Sequence, residues 1–196
     1  MANPKLVTPI GTLLYGSGLQ EASDYNGNGN FKFQAKIVLT GAAAQEFFEE
    51  LTTITQDHAG VDPDKLQHPI AEWDESHDKL TVRLSTKASG KTKDGEEFSR
   101  RPVFYEALED GTMAPCERVN TNDVKLFNGT RGQVAINAYC WKTGAGTGVT
   151  LQPTAVRLTE IVEFKEMLPT EEYHASLFDG KVGENAQAAP DTGEEF

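Results

Sequence analysis

Three stretches of this chain alternate apolar and polar residues with a period of two, which is the strongest constraint on its fold. In residues 31–40, Phe31, Phe33, Ala35, Ile37 and Leu39 share one side, while Lys32, Gln34 and Lys36 share the other. In 79–87, Leu80, Val82 and Leu84 oppose Lys79, Thr81, Arg83, Ser85 and Lys87. In 131–143, Val134, Ile136, Ala138 and Cys140 oppose Asn137, Tyr139, Trp141 and Thr143. Successive strand side chains point to opposite faces, so this pattern predicts strands with one buried face.

The remaining segments fit around these strands. Residues 6–19 read as a further strand with Pro9 at an irregular or edge position. Residues 98–107 read as the return strand of 79–87, and 149–164 as that of 131–143, with Pro153 at an edge or bulge. Between the first two clear strands the spacing changes. Ala44, Phe47, Phe48, Leu51 and Ile54 form one apolar stripe, with Glu46, Glu49 and Glu50 on the wet side. That spacing predicts a helix over 42–58, ended by Gly60. Phe31, Phe33, Phe47 and Phe48 are expected in the core. Beyond Leu168-Pro169 periodicity is lost, and residues 179–196 are rich in Gly, Ala and acids. Such a segment buries too little apolar surface to offset the entropy of ordering, so it is expected to be disordered. The predicted architecture is mainly β: a five-stranded, partly open barrel over 1–178 with one inserted helix, then an acidic tail over 179–196.

With 196 residues, 38% of them hydrophobic, the chain has material for one core. No segment reads as a secretory leader or a membrane span, so a cytoplasmic protein is expected, without membrane contact. Cys116 and Cys140 read as free thiols. Catalysis finds little support. His58, His68, His77 and His174 are scattered, and no zinc spacing, phosphate loop or nucleophile elbow occurs. Asp74, Glu75 and Asp78 read as an acidic loop. No enzyme activity, cofactor or metal is expected.

The net charge of −12, from 18 basic and 30 acidic residues, runs against nucleic acid as a partner. Its distribution does not. Residues 79–101 carry seven Lys/Arg against three Asp/Glu, the one basic stretch in an acidic chain. Lys79, Arg83 and Lys87 recur on one strand face, the next loop adds Lys91 and Lys93, and Arg100 and Arg101 follow. Together they could track a phosphate backbone. Tyr139 and Trp141 lie opposite a core face and are candidates to stack on bases; Tyr15 and Tyr25 lie on or near other strands. The tail ends Asp191-Thr-Gly-Glu194-Glu195-Phe196, and a terminal aromatic beside carboxylates offers a partner both an apolar anchor and charge.

That ending, on a strand-rich body, resembles the single-stranded DNA-binding proteins of tailed bacteriophages. The body resembles them through Pro9-Ile-Gly-Thr-Leu-Leu-Tyr15, Asn128-Gly-Thr-Arg-Gly-Gln-Val-Ala-Ile-Asn-Ala-Tyr139 and Gly148-Val-Thr-Leu151. The resemblance implies an OB-type barrel and sequence-independent binding of single-stranded DNA in replication, recombination and repair. It also implies that Asp191, Glu194, Glu195 and Phe196 compete with DNA and contact phage or host replication proteins such as polymerase or helicase/primase. It admits a homodimer. Two rivals remain: a phage structural or assembly protein with a β-sandwich and no DNA binding, and a nuclease, which would need clustered carboxylates at strand ends.

Overall fold

The computed structural model describes residues 3–24, 27–76, 78–91, 95–108, 110–143 and 146–163, with Lys91 described by its backbone alone. Lys93, the expected boundary at 178/179 and the tail residues Asp191, Glu194, Glu195 and Phe196 lie outside the described residues.

The described elements follow in the order β1 (Lys5–Val7), β2 (Gly11–Leu14), α1 (Ser17–Gln20), β3 (Lys32–Thr40), α2 (Ala42–Ala59), β4 (Ala71–Asp74) and β5 (Lys79–Lys87). After these come β6 (Ser89–Lys91), β7 (Glu97–Ser99), β8 (Val103–Ala107), β9 (Met113–Pro115), α3 (Glu117–Asn120), β10 (Arg131–Thr143) and β11 (Gly146–Glu160). The main sheet runs β4-β5-β3-β2-β10-β11-β8-β9, with β1 paired to β10. β11 also packs against β5, with no ladder between them among the described residues. The sheet therefore curls toward closure and stops short of it. This is a mainly β, OB-like, partly open barrel built on β2, β3, β5, β10 and β11.

The alternating residues explain the curl. Phe33, Ala35, Ile37 and Leu39 of β3 are buried, as are Leu80, Val82 and Leu84 of β5 and Val134, Ile136 and Ala138 of β10. All of them except Phe33 meet in one core that α2 joins through Ala44, Phe47 and Leu51. The carboxylates Glu46, Glu49 and Glu50 are exposed on the helix's solvent side, so part of the body's acidity sits on α2. Gly60 ends α2 in the left-handed region at φ 72°, its N–H bonded to Gln56 O and Thr55 O.

Several expectations are corrected. The segment 6–19 is divided into β1, β2 and the single turn α1, with Thr8-Pro9-Ile10 between the strands. Phe31 lies just ahead of β3 and is 53% exposed, outside the core, and Phe48 is only half-buried, packed at its margin. Residues 98–107 do not return along β5. Phe98 belongs to β7, which pairs with β6 in a small separate hairpin. Pro102 has no N–H to give a ladder, and beyond it β8 joins β11 in parallel, with Val103 opposite Ala155. Pro153 does mark a bulge: the β10–β11 register slips between Ala135, opposite Ala155, and Ile136, opposite Pro153.

One buried polar side chain holds the irregular stretch before β10. Gln20 is 3% exposed. Its Nε2 donates to Val119 O at 3.1 Å and Val124 O at 2.8 Å, and its Oε1 accepts the Leu126 N–H at 2.7 Å. The loop's backbone groups are thereby paired without a strand.

Candidate nucleic-acid interface

The β3–β5 ladder fixes the electrostatics of the sheet's outer face. Its antiparallel register sets Lys36 opposite Arg83 and Lys32 opposite Lys87, with Gln34 opposite Ser85 between them. Like charges directly opposite each other destabilise a sheet, so this arrangement costs stability and points to a use elsewhere. One carboxylate answers it: Glu72 of the edge strand β4 forms an ion pair with Arg83, both side chains about half exposed. Lys79 lies at the other end of β5, opposite Asp74 and Thr40.

An open cleft of about 740 Å³ adjoins this face. Lys32 and Lys36 of β3, Arg83 and Ser85 of β5, and Val149–Leu151 of β11 line it, with His68 and Tyr15. It therefore runs along the seam where the barrel is open. Tyr15 is 61% exposed and sits at φ 60°, a left-handed backbone that a bulky residue adopts only when its surroundings enforce it. The enforcing contact is its N–H, which donates to Asn128 Oδ1 at 2.6 Å.

The other sequence-derived candidates are spread over two clefts and beyond them. Arg83 faces the first cleft, and Lys87 continues its row along β5 opposite Lys32. Arg100, Arg101 and Tyr139 line a second, smaller cleft. Arg100 also lies over the Phe98 ring, 4.7 Å from its centroid. Lys91 is the last residue of β6. Trp141 is half-buried, with its Nε1–H donating to Thr150 Oγ1 at 3.1 Å. Its ring rests on Gly148, the residue opposite it, where any Cβ would collide with the indole.

Charge counting along the sequence hides Lys32 and Lys36, because they belong to a segment whose net charge is acidic. The available signal was their position on the polar side of an alternating strand. Among the described residues no group of His, Cys, Asp and Glu is arranged to hold a metal ion. Burial pushes both the Cys116 and Cys140 thiols above their ordinary range, which suits inert thiols, Cys116 being buried and Cys140 half-buried.

The architecture has counterparts among solved structures. Gp2.5, a single-stranded DNA-binding protein encoded by bacteriophage T7, superposes with a TM-score of 0.60 at 19% identity, over 96% of this chain and 100% of that one. Its fold is that of the phage single-stranded DNA-binding proteins. The bacteriophage Enc34 single-stranded DNA-binding protein, in complex with single-stranded DNA, gives a TM-score of 0.54 at 11% identity, covering 82% of this chain and 89% of that one. Its C-terminally truncated form gives 0.50 at 12% identity, over 81% and 87%. No protein-family model matches the sequence, and no curated protein matches it. No helix of the described residues is long and apolar enough to cross a membrane.

Proposed function

We propose that this chain binds single-stranded DNA without reading its sequence, along the outer face of β3 and β5. The observation that carries the reading is the cross-strand set Lys32, Lys36, Arg83 and Lys87 beside an open cleft with an exposed Tyr15 on its rim. Cations in a row suit a phosphate backbone, and an exposed ring suits any base, since every base has a π-face. In OB folds the second and third barrel strands are a common nucleic-acid face, and β3 and β5 occupy those positions here. The phage proteins of the same fold support the reading, one of them having been captured with single-stranded DNA.

The wider role follows from the same reading. Lys79, Arg100 and Arg101 add phosphate contacts and Tyr139 and Trp141 stack on bases, and the sequence assigns Lys91 and Lys93 to phosphates as well. The work is binding rather than catalysis, in phage DNA replication, recombination and repair within the host cytoplasm. The acidic tail, through Asp191, Glu194, Glu195 and Phe196, competes with DNA for the basic face and contacts replication proteins when displaced. These tail assignments rest on the sequence and its family resemblance.

The test is fluorescence anisotropy of labelled oligo-dT titrated with the full chain and with a chain stopped after Phe178, across a range of salt. Binding by both, tighter without the tail and weaker in salt, is expected. No binding by either would remove the reading.

A further inference from the structure

A second cleft, of about 370 Å³, lies where β5 ends and the Arg100-Arg101 segment passes β10 and β11. Among the described residues no carboxylate lines it, and its walls are arginine, amide, hydroxyl, one tyrosine and one proline. Two of its lining residues carry buried polar atoms with no hydrogen-bond partner among the described residues: Thr86 Oγ1 and Arg101 Nε. Thr86 is 2% exposed. Buried polar groups in folded proteins are nearly always paired, and each exception asks for a reason. Here both exceptions belong to residues that line one cavity.

Both orphaned groups can donate. The Arg101 guanidinium is held from its other side, where Nη2 donates to Asn122 Oδ1 at 2.6 Å. Its Nε–H edge is therefore fixed in place before any ligand arrives. A fixed Nε–H and a hydroxyl from two residues of one cleft, with Arg100 adding charge, match the acceptor oxygens of a phosphate.

The cleft also continues the first one. Arg83 to Ser85 and Val149 to Leu151 line the first; Thr86 and Gln152 to Thr154, the next residues on the same two strands, line the second. At about 3.3 Å per residue, Arg83 and Thr86 are separated by about 10 Å along β5.

We propose that the second cleft is a phosphate subsite for the same single strand, reached where the track leaves the outer β3–β5 face and turns over the β5–β11 seam, since Thr86 lies on the core-facing side of β5 with Leu84. Arg101 Nε–H and the Thr86 hydroxyl donate to one phosphodiester, and Tyr139, 44% exposed, receives a neighbouring base. This rests on the single-stranded DNA reading and adds to it a built site with fixed donors.

The test uses the full chain and labelled oligo-dT, read by anisotropy over a range of salt. Thr86→Val and Arg101→Gln are compared with wild type, with thermal melts of all three. Thr86→Val is expected to weaken binding about three- to tenfold with an unchanged salt slope. Its Tm holds or rises, because the substitution removes an orphaned hydroxyl without changing the side chain's shape. Arg101→Gln is expected to weaken binding about tenfold and to lower the salt slope by about 0.7, the value for one phosphate contact on a single strand. Wild-type binding matched by both variants would overturn the subsite and leave the β3–β5 reading standing. A lower Tm in Thr86→Val accompanying its weaker binding would make the hydroxyl structural and overturn the assignment. Failure of the wild-type chain to bind would overturn both the subsite and the reading on which it rests.

Discussion

The N–H of Tyr15 donates to Oδ1 of Asn128 at 2.6 Å, joining residues 113 positions apart. Around it, Leu13 N–H donates to Thr130 O at 2.7 Å and Gly129 N–H to Leu13 O at 3.2 Å. The two segments that carry the family resemblance near Tyr15 and Asn128 are thus one structural unit. It presents an exposed ring in a backbone conformation that costs about 1–3 kcal/mol. Asn128→Ala should loosen that ring without removing it. The expected result is a lower oligo-dT affinity, with a smaller loss than for Tyr15→Ala, which should lose about 1–3 kcal/mol if one base stacks there. Equal affinities for wild type and Tyr15→Ala would show that no base uses this ring.

Lys36 faces Arg83 across the ladder, and the pair should trade stability for binding. Lys36→Ala removes a like-charge neighbour, so its Tm should hold or rise slightly. Its affinity for oligo-dT should fall, and the slope of log K against log salt should shrink by about 0.7. Measuring both quantities on one preparation separates a phosphate contact from a folding effect. A variant with an unchanged slope would place the strand elsewhere.

Gln20 is a structural residue with three bonds to the 119–126 loop. Gln20→Leu keeps the volume and strands the Val124 carbonyl and the Leu126 N–H, while Val119 O keeps the Asn122 N–H at 3.3 Å. Each such group costs about 1–3 kcal/mol, so a loss of about 3 kcal/mol in urea unfolding is expected. A change within 0.5 kcal/mol, the ordinary scale of surface substitutions, would mean that water reaches these groups freely.

The two thiols predict a pH dependence. Burial raises both above the ordinary thiol range, so the folded chain keeps these protons to higher pH than the unfolded chain does. Their contribution is complete below the ordinary thiol value and is lost as pH climbs through the raised values. Stability should therefore decline on the alkaline side, and less so in a Cys116→Ala, Cys140→Ala chain. At pH 8 the fully buried Cys116 should resist iodoacetamide until denaturant is added. Rapid labelling of the native chain at Cys116 would contradict that burial.

The barrel strands 31–40, 79–87 and 131–143 were legible because a half-buried strand writes its burial into every second residue. The helix over 42–58 was equally clear, since Phe47 and Leu51 repeat at helical spacing and Gly60 stops it. Phe31 misled because alternation continues one residue past the point where the β3 pattern stops being buried. Residues 98–107 misled because chain proximity suggested a hairpin, whereas Pro102 ends one pairing and β8 finds β11, some fifty positions later, in parallel.

What the sequence by itself determined was local: a β-rich body, one long amphipathic helix, a basic stretch at 79–101, and the faces on which Arg83 and Tyr139 lie. Periodicity and turn chemistry act over a few residues, so they can be read without partners. What only the tertiary structure decided was non-local. Register placed Lys32 and Lys36, from an acidic segment, directly across from Lys87 and Arg83. Barrel curvature brought β11 against β5 and so formed the two adjoining clefts. Thr86, which reads as an ordinary strand threonine, became a buried unpartnered hydroxyl on a residue that lines the same cleft as Arg101. Charge and hydrogen-bonding capacity belong to residues, but a binding site belongs to the distances between them, and those are set by which strands pair.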